Sequence, residues 1–417
     1  MKRLLALFLC LATLLALASC APSTIQVTTE ETLTQGEETS TSSDGEVQYP
    51  KVENPLTWEK INSFPIATDS MSIAERRALV VDFFRFAQTF AWTPDKTYEK
   101  ATDNKLAQLS KGVVYGGLPY ALGGGGSSGS VYRVMEIYDE KTGIVTFSKG
   151  GSPIPYGNQC SCGAFVGWGR VVSSANYNLT HYMVQKNGFI PVGPYTYDAS
   201  LDCLNGKVHT SDIVRQNGEQ VMFESYSQMH PADGLVQWTT ATAGHVIMCT
   251  SEPVIVRNAD GTINGEESYV TIIDQAAAKT LDTALKKVDW KASFDYLLKG
   301  SFIPFTFAEL QGTDPIEPSV TTFSFEGNEI TIDELKAASV TSNYAISDVY
   351  VTATDSSGKS ITKVSRCGAA GEKTLTLNDC IYHTSFSSFA KKGATVEVVA
   401  QLYTGERPVV FSGTLVP

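Results

Sequence analysis

The chain has 417 residues, more than one ordinary domain, with apolar content enough for two buried cores. Its 32 basic and 44 acidic residues leave a net charge of −12. That balance argues against nucleic acid as a partner and against electrostatic docking on anionic lipid.

The first 20 residues, MKRLLALFLCLATLLALASC, begin basic at Lys2 and Arg3 and run apolar from Leu4 to Ala18. The run is short for a bilayer span and reads as the h-region of an export signal. It closes on Leu17-Ala18-Ser19-Cys20, which resembles a bacterial lipobox. The resemblance implies that Cys20 is lipidated and anchors an exported protein to the outer face of the bacterial cytoplasmic membrane. The plainer alternative is an ordinary signal that happens to contain a cysteine. Residues 21–50 hold eleven Ser or Thr, six acidic residues and no Lys or Arg. Such a segment cannot bury enough apolar surface to fold, so it reads as a disordered tether with a span of about 30 Å.

The first folded element is a helix. Ser72 and Glu75 form a capping-box pattern, and Leu79, Phe83, Phe86 and Phe90 make an apolar stripe that Pro94 should end. A glycine run, Gly123 to Gly126, follows without the Gly-Lys-Ser/Thr of a phosphate loop and reads as a flexible loop. SVYRVMEIY, residues 130–138, then looks strand-like. In GAFVGWGRVVSS, Phe165, Trp168 and Val172 have helical spacing. Between about 177 and 230 the pattern is irregular and predicts an elaborated loop region with short strands. PADGLVQW, AGHVIMCT and SYVTIIDQ then predict an antiparallel meander, with a turn at Asn258-Ala259-Asp260-Gly261. DYLLKGSFIPFTFAEL closes this domain, and Asp314 to Ser319 reads as a hinge. From there to Pro417, short alternating runs between Gly, Ser and Asp turns predict an all-β sandwich, immunoglobulin-like in outline. The expected boundaries are therefore 1–20, 21–50, 51–315 and 316–417, and the fold class is α+β.

Chemistry concentrates around GNQCSCGAFVGW, residues 157–168. A cysteine at a helix start sits near backbone N–H groups and the positive end of the dipole, which favours thiolate. The same N–H groups can hold an oxyanion. Cys162 meets that description, with Cys160 as the alternative sulfur. A thiolate in acyl transfer needs a histidine. In strand alternation His245, Ile247 and Cys249 share a face, as do Ser268, Val270, Ile272 and Asp274. Adjacent strands would bring Asp274 to His245 and complete a Cys-His-Asp relay. His181, His209, His230 and His383 read as structural. No second Cys-x-x-Cys or His pair lies near Cys160 and Cys162, so a zinc clip is disfavoured. Cys160 to Cys203 and Cys367 to Cys380 are open as disulfides in an exported chain.

GLPYALGG (117–124), CGAFV (162–166), PADGLV (231–236), GHVIM (244–248) and VTIIDQ (270–275), in that order, resemble the NlpC-type papain-like cysteine peptidases and amidases of bacterial cell walls, and the related CHAP amidases. The resemblance covers about residues 70–310. It implies a papain-like domain with N-terminal helices and an antiparallel sheet, with Cys162 as nucleophile, His245 as general base and Asp274 as orienting residue. Gln275 is the alternative to Asp274, and Tyr120 and Ser161 lie beside the site. The expected function is hydrolysis of amide bonds in peptidoglycan stem peptides, as endopeptidase or amidase, with no cofactor. Ser161 stands where the family usually has Asp, and Gly163 where it usually has Ser. The other expectation is an inactive surface lipoprotein that binds cell-wall glycan or peptide.

Overall fold

Helix α1, Ile73–Thr89, begins where the sequence signals it. Ser72 accepts from the Glu75 N–H, and the Glu75 carboxylate accepts from the Ser72 N–H at 2.8 Å. Such a cap contributes about 1 kcal/mol. The helix stops before Pro94, because Phe90 turns extended and Ala91–Pro94 continues as a short strand. The structure is a computed structural model that describes residues 52–98, 109–118, 120, 131–149, 152–153, 158–173, 189–197, 209–240, 243–275, 281–285, 287–367 and 371–417. The export signal with Cys20, the tether, the glycine run, His181 and Cys203 lie outside these residues. Among the described residues no helix is long and apolar enough to cross a membrane.

The centre of the first part is a six-stranded antiparallel sheet. Its strands are β1 (Ile190–Pro191), β2 (Gly234–Thr240), β3 (Ala243–Cys249), β4 (Tyr269–Ile273), β5 (Trp290–Ser293) and β6 (Ile303–Thr306), in the spatial order β5-β4-β3-β2-β6-β1. The meander β2-β3-β4 is the one expected, and Gly261 supplies the positive φ of its turn. Helix α1 and helix α3 (Cys160–Trp168) pack together beside this sheet. A Cβ on Gly167 would come within 2.8 Å of both the Val80 carbonyl oxygen and Phe84 Cβ. The two helices approach this closely only because position 167 has no side chain.

Several sequence expectations need correction. Residues 131–135 form a helix, α2 (Val131–Met135), instead of a strand. All five of its side chains are buried, so tertiary packing outweighs the β-branched composition. The region expected to be irregular contains helices α4 (Thr210–Asn217) and α5 (Glu219–Tyr226). Gly218 separates them at φ +80°.

The C-terminal part is built mainly of strands, with two short helices among them. It has a three-stranded sheet of β7 (Thr321–Phe323), β9 (Ser339–Ser342) and β12 (Thr374–Thr376). A five-stranded sheet joins β8 (Glu329–Thr331), β10 (Ile346–Thr354), β11 (Ser360–Arg366), β13 (Thr395–Leu402) and β14 (Val409–Val416), in the order β8-β14-β13-β10-β11. Helices α7 (Ile332–Ala337) and α8 (His383–Ala390) are added to these sheets. The expected structural histidine, His383, joins those helices through Nε2 to Asp333 at 2.7 Å. The chain is thus mixed α/β with several antiparallel sheets. In the Asp314–Ser319 segment, Arg76 donates to the Asp314 carbonyl at 3.1 Å and Tyr344 to the Glu317 carbonyl at 2.8 Å.

The two parts meet over a buried ionic seam. Arg133 of α2 donates to Asp348 of β10 at 2.9 Å and to the Cys367 carbonyl at 3.1 Å. Arg133 is 5% exposed and Asp348 is fully buried. At the rim, Arg366 pairs with Glu136, which also accepts from Tyr350 at 3.1 Å. Removing one partner of a buried pair leaves an uncompensated charge, whereas rim pairs contribute little. Arg133→Ala should therefore cost about 3 kcal/mol in chemical denaturation. Arg366→Ala should cost less than about 1 kcal/mol in the same experiment.

Candidate active site

The site elements converge at one end of the central sheet. His245 lies near the start of β3, and Asp274 follows the last residue of β4. Their side chains meet, His245 Nε2 to Asp274 Oδ1, at 2.8 Å. The histidine side chain is 26% exposed and the carboxylate 11%. With Nε2–H donating to the carboxylate, Nδ1 becomes the basic nitrogen of the ring. This is half of a relay: a carboxylate that fixes the tautomer and stabilises an imidazolium.

Gln275 takes a different place. It is 2% exposed and donates to the Leu118 carbonyl at 3.2 Å, while its side-chain oxygen accepts from Gln88. Its aliphatic stem lies against Gly163 of α3, where a Cβ would stand 2.5 Å from Gln275 Cγ. Gln275 therefore braces the cysteine helix, whereas Asp274 serves the histidine. Tyr120, 8% exposed, bridges backbone to backbone with Asn158 just ahead of α3.

Helix α3 begins at Cys160, so Cys162 is its third residue and not the residue before it. Cys160, Ser161 and Cys162 are all buried, at 3%, 1% and 2% exposure. At about 100° per residue the two sulfurs leave the helix on opposite sides. Gly163 and Gly167 face Gln275 and Met248, on the side that Cys160 shares. Phe165 and Gly169 face Tyr403, on the side that Cys162 shares. The Phe165 and Tyr403 rings are 4.9 Å apart, and Cys162 lies within electrostatic range of the Tyr403 hydroxyl. That hydroxyl has no hydrogen-bond partner. Burial, then the Cys367 thiol, pushes it well above the ordinary tyrosine range.

Strand alternation decides how these pieces relate. His245 pairs with Gln237 and Ile247 with Leu235, so these four share a face, to which Phe302 adds its ring 6.4 Å from His245. Val246 and Met248 occupy the other face, and Met248 reaches Gly167 of α3. The structure thus brings His245 to Asp274, Gln275 to Gly163 and Cys162 to Tyr403. On β3, His245 and Met248, the residue that touches α3, point to opposite faces of the strand. The sequence correctly put His245 and Asp274 on a common face, but it held no signal for which face α3 would cover.

The other cysteines among the described residues are buried thiols. Cys249 donates to the Ser251 carbonyl at 3.1 Å, and burial raises its pKa. Burial pushes Cys380 up to about 11. Cys367 and Cys380, open above as a disulfide, are separate thiols. His209 and His230 are helix-cap and surface residues, the latter paired with Glu252 at 2.9 Å. Among the described residues no group of three or more His, Cys, Asp or Glu is arranged to hold a metal ion.

Comparisons of the chain with protein-family models, with curated proteins and with solved structures find no match.

The Gly163–Gln275 contact is testable. Gly163→Ala forces a methyl against Gln275 Cβ and Cγ, which are buried and close to their own backbone. It should cost about 1–3 kcal/mol by denaturant melting. Gln275→Gly in the same chain, which removes both atoms, should restore part of that loss.

Proposed function

We propose that the chain is an exported, lipid-anchored cysteine hydrolase that cleaves amide bonds in peptidoglycan stem peptides. The observation that carries this reading is the 2.8 Å contact of His245 with Asp274, at the end of the sheet where Gln275 braces the cysteine helix. The papain-like character of the first part and the immunoglobulin-like character of the second belong to the same proposal. The roles follow from the chemistry. A thiolate from the first turn of α3 attacks the carbonyl carbon and forms a tetrahedral oxyanion, which helix N–H groups hold. The amine leaves with a proton from the His245 imidazolium, and water then releases the acyl group with His245 as base. Cys162 is the sulfur expected for the attack. Cys160 is its competitor, because it leaves the helix on the sheet side.

A second reading has its own support. Cys160 and Cys162 are 3% and 2% exposed, which suits a surface protein that keeps the scaffold and binds cell-wall glycan or peptide without cutting it.

Purified muropeptides decide between them. Wild type should release a new primary amine, read by amine labelling and mass spectrometry. Cys162→Ser and His245→Ala should each lower the rate about a thousandfold or more, and Asp274→Asn by a comparable order. Activity that survives Cys162→Ser and disappears in Cys160→Ser would transfer the nucleophile to Cys160. Wild type that binds muropeptides and releases nothing would sink the hydrolase.

A further inference from the structure

The His–Asp pair has an aromatic neighbourhood that the catalytic reading does not use. Tyr296 stands on helix α6, Phe294–Lys299, whose Phe294 and Leu297 are buried. Its own ring is 42% exposed. Trp290 supports it edge-on, with ring centroids 5.1 Å apart and planes at 76°. Phe302 lies behind it at 6.4 Å and 24°, and the Phe302 ring is in turn 6.4 Å from the His245 ring. These rings run from solvent to the His–Asp pair on one face of the sheet. Tyr296 also senses that pair: burial first, then the charge of Asp274, raises its hydroxyl pKa.

The platform is held rigidly. Ser293 caps the helix by accepting from the Tyr296 N–H at 3.1 Å, and Gly300 donates to the Tyr296 carbonyl at 3.0 Å. Ser301 then takes φ +54°, which turns the chain back and places Phe302 inside. A non-glycine residue at positive φ is costly and here is fixed by its surroundings.

We propose that Tyr296, backed by Trp290 and Phe302, is a stacking platform for a sugar ring of the substrate. The proposal rests on the hydrolase reading and specifies its substrate: a peptide that is still attached to the glycan when it is cut. An aromatic face carries partial negative charge, and the C–H face of a pyranose carries partial positive charge, so the two attract. The hydroxyls at the sugar edge need hydrogen-bonding groups alongside, and Asp274 and His245 supply them. An exposed flat ring with polar groups at its side suits a glycan better than an aliphatic side chain, which gains most from an enclosing pocket.

The test uses the β-1,4-linked tetramer of N-acetylglucosamine and isothermal titration, with the Cys160→Ser/Cys162→Ser chain so that no turnover intervenes. Saturable binding is expected. Tyr296→Ala should weaken it about five- to tenfold, and Tyr296→Phe should retain it, since the stack uses the ring and not the hydroxyl. Tyr382→Ala, at an exposed tyrosine in the C-terminal part, should leave affinity unchanged. Equal circular dichroism spectra and Tm for all four proteins separate lost binding from lost folding. Absence of saturable binding, or equal affinity in Tyr296→Ala, would overturn the platform. Muropeptide hydrolysis by wild type without saccharide binding sinks the platform and leaves the hydrolase standing. Saccharide binding that depends on Tyr296, in a protein that hydrolyses nothing, supports the platform and removes the hydrolase.

Discussion

Helix α3 lies so close to its neighbours that two of its positions tolerate no side chain. Gly163 is filled by the stem of Gln275, and Gly167 by Val80, Phe84 and Met248. Those two contacts set the rotation of the helix about its axis. Once the rotation is set, the sulfur of Cys160 must leave toward the sheet and that of Cys162 toward Tyr403. The orientation of each thiol is therefore decided by close packing at other positions of the same helix. Interiors packed at near-crystalline density behave this way, because a methyl group has nowhere to go.

The sheet imposes the second constraint. Successive side chains of a strand point to opposite faces, so His245 and Val246 belong to different environments although they are adjacent in sequence. His245 is three residues from Met248 and Asp274 one residue from Gln275, the partners of α3, and an odd step turns each away from α3, to the side of Phe302 and Tyr296. A buried or half-buried carboxylate needs a partner, and the histidine provides it. Gln275, a neutral group, satisfies itself with Gln88 and the Leu118 carbonyl on the other side. Two neighbouring polar residues thus serve two separate structural purposes.

Features with a strong local period were legible in the sequence. The Ser72–Glu75 box and the start of α1 are local, and so are the alternating runs of β2, β3 and β4. The shared face of His245 and Asp274 followed from counting by twos. What escaped depends on residues far away in the chain. Val131 to Met135 has a strand composition, yet folds as a helix because every side of it is covered and Arg133 reaches Asp348. Helices α4 and α5 were hidden among Asn, Asp and Gly, where only Gly218 marks their junction. The side of the sheet that α3 covers has no local signature, so the sequence held the His245–Asp274 contact but not the packing of Gln275 and Met248 against α3. The C-terminal part read as strands because its helices are short, and His383 gave no sign that it would join them.

The seam between the two parts also bears on the order of synthesis. Phe165 and Cys162 are made roughly 240 residues before Tyr403, the ring that closes over them. At about 5–20 residues per second, the outer side of α3 stays uncovered for roughly 12–50 s. During that interval Arg133 has no Asp348, and the side of α3 that carries Cys162 has no Tyr403. The second part is thus the last wall around Cys162, whereas Cys160 is enclosed by the first part alone.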